Sequence, residues 1–205
     1  MFWAMGRFAE IAFTPAVKAV QERMRSRAAY ARHERNGEAT ADRLGEDEVA
    51  FLAERDSFYM ASVGEGGWPY VQHRGGPKGF VRALDEHTLA FADYRGNRQY
   101  VSVGNVGGDD RVALIFVDYP NRARLKVLAR ASVSEDPEVR ARVNDASYGA
   151  RVERAFVLRV EAFDWNCPQH ITPRYTEEEI AAATAPLRRR LAELEEENRK
   201  LRAVR

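Results

Sequence analysis

The sequence predicts a mainly β protein, in which about seven antiparallel strands form a closed or nearly closed barrel with helices flanking it at both ends. From Ser57 onward, short runs rich in Val, Leu, Ile and Phe alternate with turns that contain Gly, Asn or Asp. Closure of these strands into a barrel removes exposed edges. The chain has 205 residues, of which 45% are hydrophobic, so it is long enough to bury a sizeable core.

The strands are assigned in chain order from these runs. SFYMASVG and PYVQHR are predicted to form a first hairpin, because the glycines of the intervening GEGGW suit a tight turn. FVRAL and TLAFADY form a second hairpin around residues 85–87. The segments RVALIFVDY, RLKVLARASV and RAFVLRVEAF supply three longer strands.

Four helices are predicted around these strands. Thr14 followed by Pro15 is a typical capped helix start, and AVKAVQERM continues at helical spacing. EVAFLAER predicts a short helix before the first strand, and DPEVRARVNDAS predicts another, capped by Asp136. The segment GNRQYVSVGN is expected to open a short helix with Gly96 and Asn97 at its mouth. Free amides at such a helix start favour an anion.

Hydrophobic residues recur at heptad spacing in the C-terminal segment. The positions that follow one another at intervals of four, three, four and three are Leu187, Leu191, Leu194, Asn198 and Leu201. This spacing is typical of the a and d positions of a coiled coil, and an asparagine at an a position favours a parallel two-stranded one.

Two interpretations of this segment remain open. Arg190 and Glu195, like Glu197 and Arg202, stand in the g-to-e′ relation of a parallel pair. However, Pro186 interrupts the helix just before the seam begins, and fewer than three heptads make a marginal coil. The alternative is an amphipathic helix packed on its own subunit.

Composition excludes several classes of protein. Lys and Arg total 32 against 31 Asp and Glu, so no global positive field favours nucleic acid. The lone Cys167 cannot form an internal disulfide, which favours a reducing compartment. The apolar runs are too short for a membrane-spanning helix, and no basic leader precedes the N-terminal apolar run. We therefore expect a cytoplasmic protein without a membrane or nucleic-acid partner.

Two basic clusters are candidate binding sites. In QHRGGPKGF, Arg74 and Lys78 flank glycines that let the backbone approach a planar ligand closely, and Arg74 can bind a phosphate with two parallel hydrogen bonds. In DYRGNRQY, Arg98 and Gln99 are expected in the first turn of the short helix. Residues 71–130 carry ten Lys and Arg against six Asp and Glu, so the nearly neutral total hides a positive segment. Taken singly, each cluster is also compatible with an ordinary solvated turn.

Four segments in this order carry a family resemblance: HRGGPKGF, LAFADYRGNRQY, DDRVALIFVDYPNRARLKVLARA and FDWNCPQHITPR. Together they resemble the pyridoxamine 5′-phosphate oxidase-like FMN-binding split-barrel family over about residues 50–175, outside its pyridoxamine-phosphate oxidase subgroup. The resemblance implies a six- to seven-stranded antiparallel split β-barrel and a homodimer with FMN at the subunit interface. The sequence pattern divides the chain into an N-terminal helical segment (1–45), a barrel domain (46–175), which the resemblance implies binds FMN, and a C-terminal helix (176–205).

The resemblance also implies which residues bind the cofactor. Arg74, Gly75 and Lys78 match the strand segment that contacts the flavin and its phosphate. The triplet that holds the phosphate matches Asn97, Arg98 and Gln99. In the family, residues of the partner subunit contact the flavin ring. The resemblance assigns this role to Arg124, at a position where a glutamine is common, and to Trp165 and Arg174, which would close over the ring.

The resemblance implies an FMN-dependent oxidoreductase that transfers two electrons to or from a small organic substrate. Vitamin B6 oxidation is not favoured, because the segment WNCPQHITPRY lacks most of the expected substrate-binding residues, although His170 could replace one of them. Alternatives are a non-catalytic flavin- or small-ligand-binding dimer, or a branch that binds F420 or haem. The sequence identifies no acid, base or nucleophile, and the scattered histidines and single cysteine predict no metal site.

Overall fold

A computed structural model describes residues 6–31, 34, 41–165 and 168–203. The helices are α1 (Gly6–Ala12), α2 (Pro15–Arg23), α3 (Arg27–Ala31), α4 (Glu46–Ala53), α5 (Val101–Gly108), α6 (Pro137–Val143) and α7 (Glu177–Ala203). The strands are β1 (Ser57–Val63), β2 (Pro69–Gly75), β3 (Val81–Asp85), β4 (Thr88–Tyr94), β5 (Arg111–Asp118), β6 (Ala123–Ser134) and β7 (Val152–Trp165). The predicted fold class, mainly β with flanking helices, is confirmed.

The seven strands form one antiparallel sheet in the order β2-β1-β5-β6-β7-β4-β3. Both predicted hairpins pair as expected, β1 with β2 and β3 with β4. The sheet curls on itself, as an ion pair shows: Arg74 of edge strand β2 contacts Asp93 of β4, which lies near the other edge. Strands β2 and β3 follow each other in the chain yet end the sheet on opposite sides, so the barrel is split between them.

Phenylalanine side chains from several strands fill the interior. Phe58 of β1 lies against Phe91 of β4 and Phe116 of β5, with ring centroids 5.1 and 4.8 Å apart, and Phe91 stacks on Phe156 of β7 at 5.0 Å. All four rings are buried. The alternation of buried and partly exposed residues along β5 is the period-two pattern that predicted the strand.

The segments before the first strand are joined to the barrel by a buried carboxylate. Helix α1 packs against β7, and Asp42 accepts hydrogen bonds from the amides of Arg7 in α1 and Phe163 in β7, at 3.3 and 3.2 Å. The predicted caps are confirmed: the Thr14 side chain accepts from the amide of Val17, and Pro15 opens α2. Asp136 caps α6 in the same way. Helices α1 and α3 lie within the N-terminal segment predicted to be helical, but they were not predicted individually.

The chain divides into two compact units. One contains Met1–Asp118 and Ala123–Pro168, and the other contains Tyr119–Arg122 and Gln169–Arg205. In the second unit, α7 is a helix of 27 residues that continues through Pro186 rather than breaking there. Among the described helices, none is both long enough and apolar enough to cross a membrane.

Candidate functional site

The main candidate site is a cavity of about 210 Å³ bounded by β2, β4, the loop of residues 95–100 and the start of α5. Four of the residues predicted from the sequence line it: Arg74, Asn97, Arg98 and Gln99. The wall also contains side chains that the sequence analysis did not select, among them Gln72, Asp93, Tyr94, Tyr100, Ser102 and Glu153. The structure therefore brings residues of both basic clusters to one cavity.

The loop before α5 has an unusual backbone. Arg98 and Tyr100 have φ values of +63° and +53°, in the left-handed region that side chains other than glycine rarely occupy. The Asn97 side chain accepts a hydrogen bond from the amide of Gln99 at 3.1 Å, which closes a tight turn. The prediction that Arg98 and Gln99 lie in the first turn of the helix is wrong, because these conformations delay the start of α5 to Val101.

Backbone amides still border the cavity. Val101, Ser102 and Val103 form the first turn of α5 and line the wall. The amides of a first turn have no carbonyl one turn earlier to accept their hydrogen bonds. The buried hydroxyl of Ser102 donates to Gln72 of β2 at 2.7 Å, which holds this helix start against the barrel. An anion in the cavity would therefore meet polar hydrogens supplied by the main chain.

A network of arginines and carboxylates lies in and beside the cavity wall. The buried Asp93 pairs with Arg74 at 2.7 Å and with Arg154 at 3.2 Å. Glu153 pairs with Arg154 at 2.8 Å and lies 3.7 Å from Arg95. Burial raises the pKa of Glu153, but hydrogen bonds from Tyr100 and Arg154 outweigh it and leave that pKa below its usual value. With Arg98, the network in and beside the wall contains four guanidinium groups and two carboxylates, an excess of positive charge, although only Arg74 and Arg98 of these arginines line the cavity itself.

Arg98 is the most available of these cations. Its side chain is exposed, and its Nε donates to the hydroxyl of Tyr100 at 3.4 Å. That hydrogen bond is the main cause of a pKa above the ordinary arginine value, so Arg98 stays charged at every physiological pH. Within the part of the chain that the structure describes, Arg98 forms no ion pair. Its charge is therefore available to a ligand.

Arg74 is held more firmly than Arg98. Its guanidinium lies 4.9 Å from the ring centroid of Phe156 and 5.7 Å from that of Phe91, and only 13% of its side chain is exposed. Its Nε is buried without a hydrogen-bond partner among the described residues. Gly75 follows it in the wall of an adjoining cavity of about 150 Å³, which shares Arg74 and Tyr94 with the main one.

Lys78 does not line the main cavity. Its Nζ lies 2.6 Å from a carboxylate oxygen of Glu54, at the end of α4, and both side chains are largely exposed. The hydrogen bond from Lys78 lowers the pKa of Glu54. In the single chain, Arg74 therefore lines the cavity, whereas Lys78 pairs with a residue at the end of α4.

Arg124 and Trp165 lie on the neighbouring strands β6 and β7, outside the cavity wall. The indole of Trp165 packs edge-on against Phe51, and its Nε1 donates to the buried carboxylate of Glu48 at 2.6 Å. Arg124 is partly buried, and its Nε has no hydrogen-bond partner among the described residues. Both side chains are positioned by their own chain on a different part of the barrel.

His170 and Arg174 belong to the second unit, and both are exposed. Arg174 lies over the ring of Tyr119, with its guanidinium carbon 4.8 Å from the ring centroid. His170 has a φ of +63°. Cys167, for which the sequence predicts neither a nucleophilic nor a metal-binding role, lies outside the described residues. Within residues 6–31, 34, 41–165 and 168–203, no three His, Cys, Asp or Glu side chains cluster as metal ligands.

Comparison with known proteins decides the family. The family model described as pyridoxamine 5′-phosphate oxidase matches residues 44–172, more than half of the chain. The chain belongs to the pyridoxamine 5′-phosphate oxidase family. No curated protein matches it.

Several solved structures are similar to the chain. One is a Lactobacillus delbrueckii protein provisionally described as a pyridoxamine 5′-phosphate oxidase: it is 25% identical, covers 60% of this chain and 93% of its own, and has a TM-score of 0.46. HupZ from Group A Streptococcus is 14% identical, and the match covers 64% of this chain and 100% of the HupZ chain, with a TM-score of 0.49. An FMN-binding protein from Syntrophomonas wolfei is 11% identical, and the match covers 57% of this chain and 81% of that protein's chain, with a TM-score of 0.47.

Sequence reasoning missed the acidic half of the site in this member of the pyridoxamine 5′-phosphate oxidase family. Asp93 carries a signal that could have identified it, since it follows the apolar run LAFA in a strand that is otherwise buried. A carboxylate at such a position requires a charged partner. Glu153 and Arg154 had no comparable signal, because charged pairs at the start of a strand are common.

Proposed function

We propose that this protein is an FMN-binding flavoprotein that acts as a homodimer and transfers two electrons to or from a small organic substrate. The observation that carries the proposal is the convergence of Arg74, Arg98 and the first-turn amides of α5 on one cavity. A phosphate dianion needs positive charge and polar hydrogens, and this wall supplies both. The buried Arg74 Nε and the buried Tyr94 hydroxyl have no partner among the described residues, which fits a site completed by a ligand.

The size of the cavity supports a site shared between two subunits. At about 210 Å³ it is smaller than the roughly 300–1,000 Å³ typical of pockets that bury a whole organic ligand. It suits the phosphate and part of its chain, while the flavin ring requires further walls. The residues that the resemblance assigns to the ring, Arg124, Trp165 and Arg174, do not line this cavity, which agrees with their contribution from a partner subunit.

An apolar groove on the outside of the barrel supports the homodimer. It has a volume of about 340 Å³ and is lined by residues of β1, β2, β5 and β6 together with Phe8. Val71 and Tyr59 in its wall are 60% and 42% exposed. Burial of such a face against a second copy removes apolar surface from water.

Bound FMN would supply the redox chemistry, while the protein binds and orients it. We assign phosphate binding to Arg98, Asn97, Gln99 and the α5 amides, with Arg74 as a fixed charge beside them. The site contains no side chain that we assign as an acid, base or nucleophile. The substrate therefore remains a small organic molecule of unspecified structure.

The first experiment is binding of FMN and riboflavin to the purified protein, measured by calorimetry and by flavin absorbance. We expect FMN to bind more tightly than riboflavin, which lacks the phosphate. Arg98→Ala should weaken FMN binding by about 10- to 150-fold, because a hydrogen bond to a charged group contributes about 1.5–3 kcal/mol. Its affinity for riboflavin should stay unchanged.

Arg111→Ala is the matched control, since Arg111 is also exposed but pairs with Asp109 away from the cavity wall. Its FMN affinity should equal that of the unmodified protein. A colourless protein that fails to bind added FMN, or an Arg98→Ala variant that binds FMN normally, would overturn the assignment. Selective binding of F420 or haem instead would assign the site to one of those alternatives.

Catalysis is tested separately from binding. The bound flavin is reduced without oxygen and mixed with a panel of small organic acceptors, and its reoxidation is followed by absorbance. An oxidoreductase should transfer electrons to at least one acceptor faster than free reduced FMN does. Rates no faster than those of free FMN across the panel would favour the non-catalytic flavin-binding dimer.

A further inference from the structure

Helix α7 carries a row of apolar side chains that are exposed within its own unit. None of the described α7 residues is buried. The exposed fractions are 72% for Leu187, 57% for Leu191, 45% for Leu194 and 66% for Leu201. Leucines at regular spacing on one side of a long helix are a costly arrangement in water unless another surface covers them.

The observed helix also lengthens the heptad pattern. Because α7 is continuous from Glu177 to Ala203, the pattern extends back from Leu187 to Thr184 at an a position and Ile180 at a d position. Ile180 is 49% exposed. The hydroxyl of Thr184 donates to the Ile180 carbonyl at 2.8 Å, so this side chain can enter an apolar seam with its donor satisfied. The seam then spans just over three heptads.

Pro186 no longer argues against a coiled coil. In this register it occupies a c position, on the side of the helix away from the seam. A proline there would leave the contact surface intact, and the helix continues through it. Pro186 is therefore compatible with a coiled coil along α7.

We propose that α7 pairs with α7 of a second copy of this chain as a parallel two-stranded coiled coil. The flanking charges are complementary: Arg190 faces Glu195 of the second copy, and Glu197 faces Arg202. In the single chain Arg190 pairs with Glu193 at 3.0 Å, both largely exposed. Such a surface pair contributes little and is easily exchanged for an interchain one.

Asn198 determines the orientation. In a parallel coil the two copies of Asn198 face each other at a positions, where their amide groups hydrogen-bond to one another. The antiparallel alignment that best matches the leucines places Asn198 opposite Leu187, which would leave its amide unpaired in an apolar seam at a cost in free energy. The charged residues complement each other in both alignments, so the asparagine selects the parallel one.

This interaction is distinct from the proposed flavin site, whose lining residues all belong to the first unit. The experiment uses the full chain with Cys167→Ser, which removes its single cysteine. Leu201→Cys then places a thiol at a d position, and the matched control Arg199→Cys places one at the outward b position of the same turn. Disulfide formation under mild oxidation is followed on non-reducing gels.

We expect the Leu201→Cys variant to cross-link at least about ten times faster than the Arg199→Cys variant, because facing thiols have a millimolar effective concentration. Adding Leu194→Lys should abolish that difference and leave FMN binding unchanged. Equal rates for the two thiol variants, or no effect of Leu194→Lys, would overturn the proposal. Preferential cross-linking between mixed Leu201→Cys and Thr184→Cys chains would show the antiparallel alignment and overturn it as well.

Discussion

Asp93 is the residue on which the charge balance of the candidate site depends. Its carboxylate is 8% exposed and lies between the guanidinium groups of Arg74 and Arg154, which are 13% and 14% exposed. Asp93→Asn keeps the shape of the side chain and removes its charge. Of the two arginines, Arg154 would keep its pairing with Glu153, and Arg74 would lose its charged partner.

Breaking a buried ion pair costs about 3–5 kcal/mol, because the remaining charge stays desolvated. At the low end of this range, about 3 kcal/mol corresponds to a fall in Tm of about 6–12 °C for a chain of this size. The assay is thermal unfolding followed by circular dichroism. Inorganic phosphate should raise the Tm of the variant more than that of the unmodified protein, since the cluster then has a larger excess of positive charge.

Asp110→Asn is the control, with the same chemical change in an exposed pair. Asp110 lies 2.8 Å from Arg130, and the two side chains are 46% and 51% exposed, so we expect a loss below about 1 kcal/mol. If the two variants differ by less than about 0.5 kcal/mol, the buried network does not stabilise the fold as argued.

Two further predictions concern packing and acid stability. A Cβ at Gly76 would lie 2.7 Å from a ring carbon of Phe80, so Gly76→Ala should cost about 1–3 kcal/mol in urea unfolding. Gly107→Ala, in α5 with nothing within 4 Å, should instead add up to about 1 kcal/mol. Hydrogen bonds from Arg27 and Lys18 lower the pKa of Glu34 from 4.5 to about 2. The contribution of the Glu34 carboxylate to the stability of the folded state is therefore fully present above about pH 4.5 and is lost as the pH falls towards 2. An NMR titration of this carboxyl group measures its pKa, and a midpoint near 4.5 would contradict the prediction.

Most of the barrel could be predicted from the sequence because its signals are local. Strands β1, β5 and most of β6 alternate between buried and more exposed residues, and the caps at Thr14 and Asp136 act within a few residues. The helix start at Val101 was misplaced because no sequence rule indicates that Arg98 and Tyr100 adopt left-handed conformations. Such conformations depend on how the surrounding structure holds the loop.

The candidate site could be predicted only in part. Charge and glycine content identified Arg74 and the Asn97–Gln99 loop, and the structure places both on one cavity wall. The neutralisation of Arg74 by Asp93 depends on the curling of the sheet, which joins residues 19 positions apart on non-neighbouring strands. A linear pattern does not contain that information. The contributions of Arg124, Trp165 and Arg174 to a partner's site remain predictions.

The place of β7 in the sheet has a consequence for synthesis of the chain. This strand lies between β6 and β4, so it joins the two portions of the sheet, yet of the described strands it is the last to leave the ribosome. Until it emerges, the β3–β4 hairpin has no strand to pair with beyond itself, and its buried side chains face solvent. The barrel must therefore complete its folding after residue 165 has been translated, and any pause before that point exposes an unpaired strand edge to aggregation.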